Sequence, residues 1–478
     1  MRMTRCNRRK FLGALGLGGA SMAVQGCRHY PTGSRSGSHP PNILILFTDD
    51  QRFDTIHALN NPGIQTPNMD KLVRNGTAFT HAHTMGAMTG ALCVPSRAML
   101  MTGRTLFHLA RTGNVIPAAH TTLPELLRER GYTTFATGKW HNDRRSCARC
   151  FTHGAKIFFG GMSDHLKVPV YDFDPTGKYA KEDQYVAKTF SSELFSDAAI
   201  GFLETRPKDR PFMMYVAYTA PHDPRMAPEQ YTRLYPPERI PLPPNFMPKH
   251  PFDNGDLETR DERLAPWPRT PEIVREHIAA YYAMITHVDA QIGRVLDALA
   301  DSAEQENTII VFAGDNGLAV GQHGLLGKQN VYEHSMRVPL IFCGPGIPRG
   351  QTCDAFCYLL DVFPTLCDLT SIHAPESVEG KSLAPLLRRP NSTVRDSIFY
   401  AYRTVQRGVR RKDWKLIQYN VKGRRTTQLF DLHSDPWERN NLANDASQAP
   451  RIRQLNELLE AWMRRSDDPC KSEEFTGD

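Results

Sequence analysis

Apolar runs that end in polar clusters recur along the first three quarters of the chain. Asn42 to Phe47 is almost unbroken in apolar character and stops at Thr48-Asp49-Asp50. A run without polar alternation reads as a strand buried on both faces, with its polar residues gathered at the carboxyl end. Polar clusters follow strands three more times. Thr133 to Thr137 leads into Gly138-Lys139-Trp140-His141, Phe212 to Thr219 into Ala220-Pro221-His222-Asp223, and Thr308 to Ala313 into Gly314-Asp315-Asn316. Val338 to Cys343 is a further strand. Between these runs, Pro67 to Asn75, Leu123 to Arg130, Glu193 to Thr205 and Asp361 to Leu369 read as helices. Glu272 to Ala300 places Ile278, Tyr281, Tyr282, Ile285, Val288, Ile292, Val295 and Leu299 at helical spacing, which predicts a long amphipathic helix.

Strands alternating with helices predict an α/β fold with a large, mainly parallel sheet flanked by helices on both faces. Open sheets of this kind bind ligands outside the carboxyl ends of their strands. The four polar clusters are therefore expected to converge on one cleft. Past about residue 375 the pattern changes. Ile398 to Tyr402, Arg407 to Val409, Trp414 to Tyr419 and Gln428 to Asp431 read as short antiparallel strands, and Ile452 to Arg464 as a closing helix. This predicts a catalytic domain over 41–375 and a smaller C-terminal α+β subdomain over 376–478. The Pro-rich, charged stretch 236–270 reads as a long surface loop.

Composition changes the picture little. Of 478 residues, 40% are hydrophobic and 23% charged, as in ordinary globular chains. The net charge of +7 has a local source: Arg2, Arg5, Arg8, Arg9 and Lys10 stand in the first 26 residues with no acidic residue among them. That argues against a nucleic-acid surface. Asn7-Arg8-Arg9-Lys10-Phe11-Leu12 is a twin-arginine export pattern, followed by a Gly/Ala-rich apolar run too short to span a membrane. Residues 1–26 are thus expected to be a signal peptide handled by the twin-arginine translocase. Val24-Gln25-Gly26-Cys27 resembles a lipoprotein cleavage site, with Cys27 as a candidate lipid anchor. Residues 27–40 form a linker. The expected location is exported, either periplasmic or membrane-anchored. In an oxidising compartment Cys343, Cys353, Cys357, Cys367 and Cys470 could pair. Cys147 and Cys150 lack further zinc ligands nearby and read as a local disulfide or two buried thiols.

Asp49, Asp50, Asp315 and Asn316 form a hard-oxygen set without Cys or His, which suits Ca²⁺ or Mg²⁺ better than zinc. Between the first two strands stands Cys93-Val94-Pro95-Ser96-Arg97, with Pro95 suited to the first turn of a helix.

The C-x-P-S-R pentapeptide, extended by Ala98-Met99-Leu100-Met101-Thr102-Gly103-Arg104, resembles the signature of the type I, formylglycine-dependent sulfatases of the alkaline-phosphatase-like superfamily. Gly138-Lys139-Trp140-His141, Ala220-Pro221-His222, His323 to Lys328, Tyr332 to Leu340 and Arg410 to Leu416 extend the likeness to about residues 41–460. The main departure is Gly314, where the family often has Ser.

The resemblance implies that Cys93 is converted to formylglycine by a maturation enzyme. One hydroxyl of the hydrated aldehyde attacks sulfur, and the other lets the covalent sulfate collapse by C–O cleavage. It implies that Asp49, Asp50, Cys93, Asp315 and Asn316 hold one divalent cation, usually Ca²⁺ with Mg²⁺ possible. Arg97 supports the nucleophile, Lys139 and Lys328 contact sulfate, His141 acts as base and His222 protonates the leaving oxygen. Arg144, Asp164 and His165, in loops after His141, are weaker candidates for substrate hydroxyl contacts. The implied reaction is hydrolysis of a sulfate ester, with a sulfated carbohydrate as expected substrate. A formylglycine-dependent phosphodiesterase or phosphonate monoester hydrolase is the nearest alternative. A non-catalytic lipoprotein that binds sulfated glycans would require Cys93 to stay a thiol.

Overall fold

A computed structural model of the chain describes residues 40–389 and 391–476. The expected signal peptide over 1–26, Cys27 and the expected linker up to residue 39 lie outside the described residues.

The central sheet has eight strands in the order Gln351–Cys353, Gly76–Phe79, Leu340–Cys343, Thr308–Gly314, Asn42–Thr48, Phe212–Ala217, Thr133–Lys139 and His153–Phe158. The last five run parallel to one another, and Leu340–Cys343 pairs antiparallel on both sides. The expected mainly parallel sheet is therefore present. Alternation along Asn42–Thr48 explains why both faces are covered. Ile43, Ile45 and Phe47 enter one core with Leu100 and Phe363, while Leu44 and Leu46 enter the other with Val288 and Phe202. The long helix spans Pro271–Asp301 and starts at the Thr270 cap, whose side chain accepts from Ile273 N.

Several elements differ from expectation. Val338 to Cys343 is split at Pro339, which has no amide proton to give a ladder: Arg337–Val338 pairs with Ala82–His83, and only Leu340–Cys343 joins the main sheet. The edge strand His153–Phe158 has a half-exposed pattern with a glycine and a lysine in it, so no run marks it. The 236–270 stretch is not simply a surface loop, since Asn245, His250, Asn254, Asp261, Glu262 and Arg269 are buried within it. The Cys147–Cys150 pair consists of two buried thiols on the Arg144–Cys150 helix, one facing Tyr179 and the other Thr122. Cys343, Cys357, Cys367 and Cys470 are likewise thiols rather than paired. Among the described residues, no helix is long and apolar enough to cross a membrane.

The C-terminal sheet is antiparallel through Ser397–Tyr402, Gln406–Arg411, Trp414–Val421 and Arg424–Asp431, as expected. Its edge is completed by Gly86–Ala87, a parallel strand from just before Cys93. A buried knot of charge also links this sheet to the rest. Glu333 accepts from Arg410 Nη1 at 2.6 Å and Lys415 Nζ at 3.0 Å, and Lys415 lies 2.8 Å from Glu438. Burial alone would raise the Glu333 carboxyl, but Arg410 and Lys415 hold it well below the ordinary range. Removing one member of a buried ion cluster strands the others. Lys415→Met is expected to lower unfolding stability by about 3–5 kcal/mol in chemical denaturation. A loss well under 1 kcal/mol would mean that the knot does not tie the sheet down.

Candidate active site

Each strand-end cluster reaches the same place by a different local device. Asp49 and Asp50 follow Asn42–Thr48. Asp49 N donates to Ala220 O at 3.1 Å, and Asp315 N donates to Thr48 O at 3.1 Å, so three neighbouring strand ends are stitched together. Asp50 has left-handed backbone at φ 63°, as does His141 at φ 67°. Such conformations persist where the surroundings over-determine them, and they cluster at functional sites. Lys139 ends Thr133–Lys139 just after a register shift at Thr137/Gly138. Gly138 makes that shift possible: its φ is 89°, and an added Cβ would lie 1.9 Å from Ala217 O. The helix Cys93–Thr102 opens at the nucleophile motif.

The cluster is almost free of solvent. Asp49, Asp315, Asn316 and Lys139 are 0% exposed and Cys93 1%. Three carboxylates face three cations. Arg97 donates from Nε and Nη2 to Asp315 Oδ2 at 3.1 and 2.8 Å, and from Nη1 to Lys139 O at 2.8 Å. Lys139 Nζ donates to Asp49 Oδ2 at 2.5 Å and to Gly161 O at 2.5 Å. Lys328 Nζ donates to Asp50 Oδ1 at 2.6 Å. Around Cys93 Sγ stand His141 Nδ1 at 3.2 Å and Lys139 Nζ at 3.7 Å. His222 points Nε2 toward Asp50 Oδ2 at 3.6 Å, with its Nδ1 held by Asp223 O at 2.8 Å.

Electrostatics follow from this packing. Burial opposes the charge on Lys328, yet Asp50 holds its ammonium well above the usual range. Burial pushes the Asp315 carboxyl up to about 7, with Asp49 adding to the rise. Burial, then Lys139 and Arg97, keep His141 well below the ordinary imidazole range, so it is neutral. Burial also raises the Cys93 thiol, so an unmodified Cys93 is a poor thiolate nucleophile.

Two buried oxygens of this cluster accept no hydrogen bond: Asn316 Oδ1, and Asp49 Oδ1, which has Arg97 Nη2 3.7 Å away. Asp49, Cys93 and Asp315 also offer ligand atoms within 4.8 Å of one another. Orphaned hard oxygens beside carboxylates fit a Ca²⁺ or Mg²⁺ ion held by Asp49, Asp50, Asp315 and Asn316.

A cavity of about 210 Å³ opens above Cys93, lined by His141, His222 and Lys328 on its inner side and by Met162, Arg260 and Asp261 on its outer side. Arg144, Asp164 and His165, the candidates for hydroxyl contacts, are not among the residues that line it. Arg144 braces Tyr179 O at 2.6 Å and Tyr171 Oη at 3.0 Å. Asp164 Oδ1 accepts from Leu166 N at 2.8 Å in a local turn. His165 is buried, with Nδ1 2.7 Å from Ser191 Oγ and Nε2 2.9 Å from His222 O, so it props the His222 turn from behind. The outer wall was missed, because Arg260 and Asp261 come from the stretch expected to be a surface loop. Gly314 has its own reason: an added Cβ would meet Gln51 O at 2.9 Å.

A parallel sheet whose strand ends gather carboxylates, an amide, lysines and histidines around a helix-opening Cys defines an enzyme of the alkaline-phosphatase-like superfamily. The sulfatase family model matches residues 41–372, and a model for the C-terminal part of N-sulphoglucosamine sulphohydrolase matches residues 321–465. The chain belongs to the sulfatase family and is a sulfuric ester hydrolase. An N-acetylglucosamine-6-O-sulfatase of Bacteroides thetaiotaomicron is 29% identical over 515 residues, 92% of this chain and 89% of that protein. A structure solved with its substrate D-glucosamine-2-N,6-O-disulfate is similar at TM-score 0.77 and 26% identity, covering 91% of this chain and 99% of that one. The phosphonate monoester hydrolase of Agrobacterium radiobacter shares the fold at TM-score 0.72 and 22% identity, covering 89% and 96%.

The orphaned oxygens give a test that does not depend on turnover. Thermal unfolding is expected to shift upward when Ca²⁺ is added to chelator-treated protein, by about 2.7 kcal/mol of stability at a hundredfold excess over Kd. Asn316→Ala should lose most of that shift. A shift of equal size in the variant would mean that the ion binds elsewhere.

Proposed function

We propose that this chain is an exported hydrolase of sulfate esters on a sulfated carbohydrate, releasing alcohol and inorganic sulfate. The observation that carries the reading is the buried meeting of Cys93, His141, Lys139, Lys328 and His222 around unpartnered Asp49 and Asn316 oxygens. The likeness to the N-acetylglucosamine-6-O-sulfatase and to the structure with glucosamine disulfate supports a sulfated sugar as substrate class. The twin-arginine pattern supports export, with Cys27 as a candidate anchor.

Formylglycine formed from Cys93 by a maturation enzyme would supply a hydrated aldehyde as nucleophile, and a Ca²⁺ or Mg²⁺ ion held by Asp49, Asp50, Asp315 and Asn316 would neutralise sulfuryl charge. The chain's own residues do the rest. Lys139 and Lys328 bring fixed positive charge to the anion at no cost of reorganisation. Neutral His141, with Nδ1 at residue 93, takes up a proton there. Arg97 keeps Asp315 and the helix start in register. His222, whose Nδ1–H donates to Asp223 O, acts in its imidazolium form, which burial opposes and Asp50 and Asp223 favour, and delivers the Nε2 proton to the leaving oxygen. A second reading is a phosphodiesterase or phosphonate monoester hydrolase at the same site. Its support is the fold shared with the Agrobacterium enzyme, because a tetrahedral anion of either element meets the same charges.

Mass spectrometry of the tryptic peptide ending at Arg97, from protein made in its native host, is expected to show residue 93 lighter than Cys by about 18 Da. An unmodified thiol in protein that nevertheless cleaves sulfate esters would sink the proposed nucleophile. A matched sulfate ester and phosphate diester then separate the two readings, with the sulfate ester expected to be cleaved faster. His222→Gln should cost about 10²–10⁴-fold in kcat on an alkyl sulfate, and far less on 4-nitrophenyl sulfate, whose leaving group needs little protonation. Equal losses on both would remove His222 from the role of acid.

A further inference from the structure

The cavity's outer wall is built differently from its floor. Arg260 is the centre of a continuous polar chain. Its guanidinium grips both oxygens of Asp223, Oδ1 from Nη2 at 3.0 Å and Oδ2 from Nη1 in a shorter contact. Nη2 also donates to Asp261 Oδ1 at 2.5 Å, and Asp261 Oδ2 accepts from Gln329 Nε2 at 2.8 Å. Gln329 is tied in turn to Gly90 O at 3.0 Å, beside the nucleophile helix. Met162, whose sulfur lies 2.7 Å from Arg260 Nη1, stands 44% exposed at the rim and offers an apolar surface. Arg225, with Nη1 against His277 Nδ1 at 2.6 Å, is not among the residues that line the cavity, although its charge also acts on Asp223.

Two consequences follow for a ligand whose sulfate sits on the floor. Among the described residues that line the outer wall, Arg260 is the one cation, and two carboxylates already share it. A second anion there would face Asp223 and Asp261 with no uncommitted positive charge among the lining residues of that wall. A hydroxyl is suited in both senses, since it can donate to the Asp261 carboxylate and accept from an Arg260 N–H. Met162 alongside gives an apolar face on which a sugar ring can lie.

We propose that Arg260 and Asp261 read the sugar: they select a ring that carries a free hydroxyl, not a second sulfate, next to the scissile sulfate. This rests on the sulfate-ester reading given above and narrows its substrate class. The pair acts on specificity, whereas the floor acts on the anion common to all sulfate esters.

The test compares two substrates that share the sulfate and differ in the sugar. One is the monosulfated monosaccharide cleaved fastest by the wild-type enzyme in a panel of such sugars, and the other is 4-nitrophenyl sulfate. Asp261→Asn preserves shape and the Gln329 contact but removes the charge. It is expected to lower the ratio of sugar to aryl kcat/KM by about tenfold or more, mostly through KM, as loss of a hydrogen bond to a charged group does. Arg260→Met should do the same, and Arg260→Lys should recover part of the ratio. An unchanged ratio, with both substrates losing equally or not at all, would show that the wall is structural and overturn the assignment. The wild-type enzyme is also expected to cleave the monosulfated sugar at least tenfold better than the same sugar bearing a second sulfate on the neighbouring carbon. Equal or faster cleavage of the disulfated sugar would overturn it too. Failure of the wild type on every sulfate ester, with residue 93 converted, is a different result: it sinks the sulfatase reading itself, and this one with it.

Discussion

Three carboxylates buried side by side at the ends of neighbouring strands are the constraint on which the rest depends. Asp49, Asp50 and Asp315 cannot remain charged and dry without partners, because each unpaired buried ion costs several kcal/mol. Their partners come from distant segments: Arg97 from the nucleophile helix, Lys139 from another strand end and Lys328 from a loop far along the chain. Satisfying the carboxylates therefore fixes where those segments go. The Arg97–Asp315 pair sets the start of the Cys93–Thr102 helix, and so the height of residue 93 above the sheet. Lys139 bonds the Gly161 carbonyl as well as Asp49, which brings down the segment carrying Met162. Hydrogen bonding stops short at Asp49 Oδ1 and Asn316 Oδ1, two oxygens that a hard cation would satisfy.

This explains what could be read in the sequence. The parallel sheet was legible because strands buried on both faces are continuous apolar runs, and each run stopped at the residues that carry the chemistry. Asn42–Thr48 and Thr308–Gly314 followed that rule, while Thr133–Lys139 is as buried with three threonines in it. Where burial was partial the rule failed. His153–Phe158 is an edge strand with only its last two residues fully buried, so its pattern carries little signal. Gly86–Ala87 was illegible for another reason: two small residues have no periodicity, and they are a strand only because Ser397–Tyr402 is there to pair with them.

The site divides along the same line. Its floor is made of residues next to strand ends and one helix start, whose positions local patterning dictates. Its outer wall comes from the 236–270 stretch, which is rich in proline and charge and reads locally as solvent-facing. Arg260 is held by an ion pair with Asp223 and Asp261 by a hydrogen bond from Gln329, partners about forty and seventy residues away. No periodicity encodes such contacts. Arg144 and His165 show the converse error. Proximity in sequence to His141 suggested a role in the pocket, but both side chains are spent on bracing their own surroundings.

The same division bears on selectivity within the fold. The floor presents positive charge to a tetrahedral anion, and nothing in that arrangement distinguishes sulfur from phosphorus or one sugar from another. Discrimination has to come from groups that touch what differs between substrates, namely the leaving alcohol and its neighbours. His222 lies on the border. Its Nδ1 is held by the Asp223 carbonyl, while the Asp223 carboxylate, 3.3 Å from the same nitrogen, is gripped by Arg260. The residue proposed to face the sugar is thus one contact removed from the residue proposed to protonate the departing oxygen. A ring that seats well against Arg260 leaves the Asp223 clamp in place and the imidazole aimed. A ring that disturbs Arg260 loosens both. Binding selectivity and leaving-group protonation are then two readings of one ion pair.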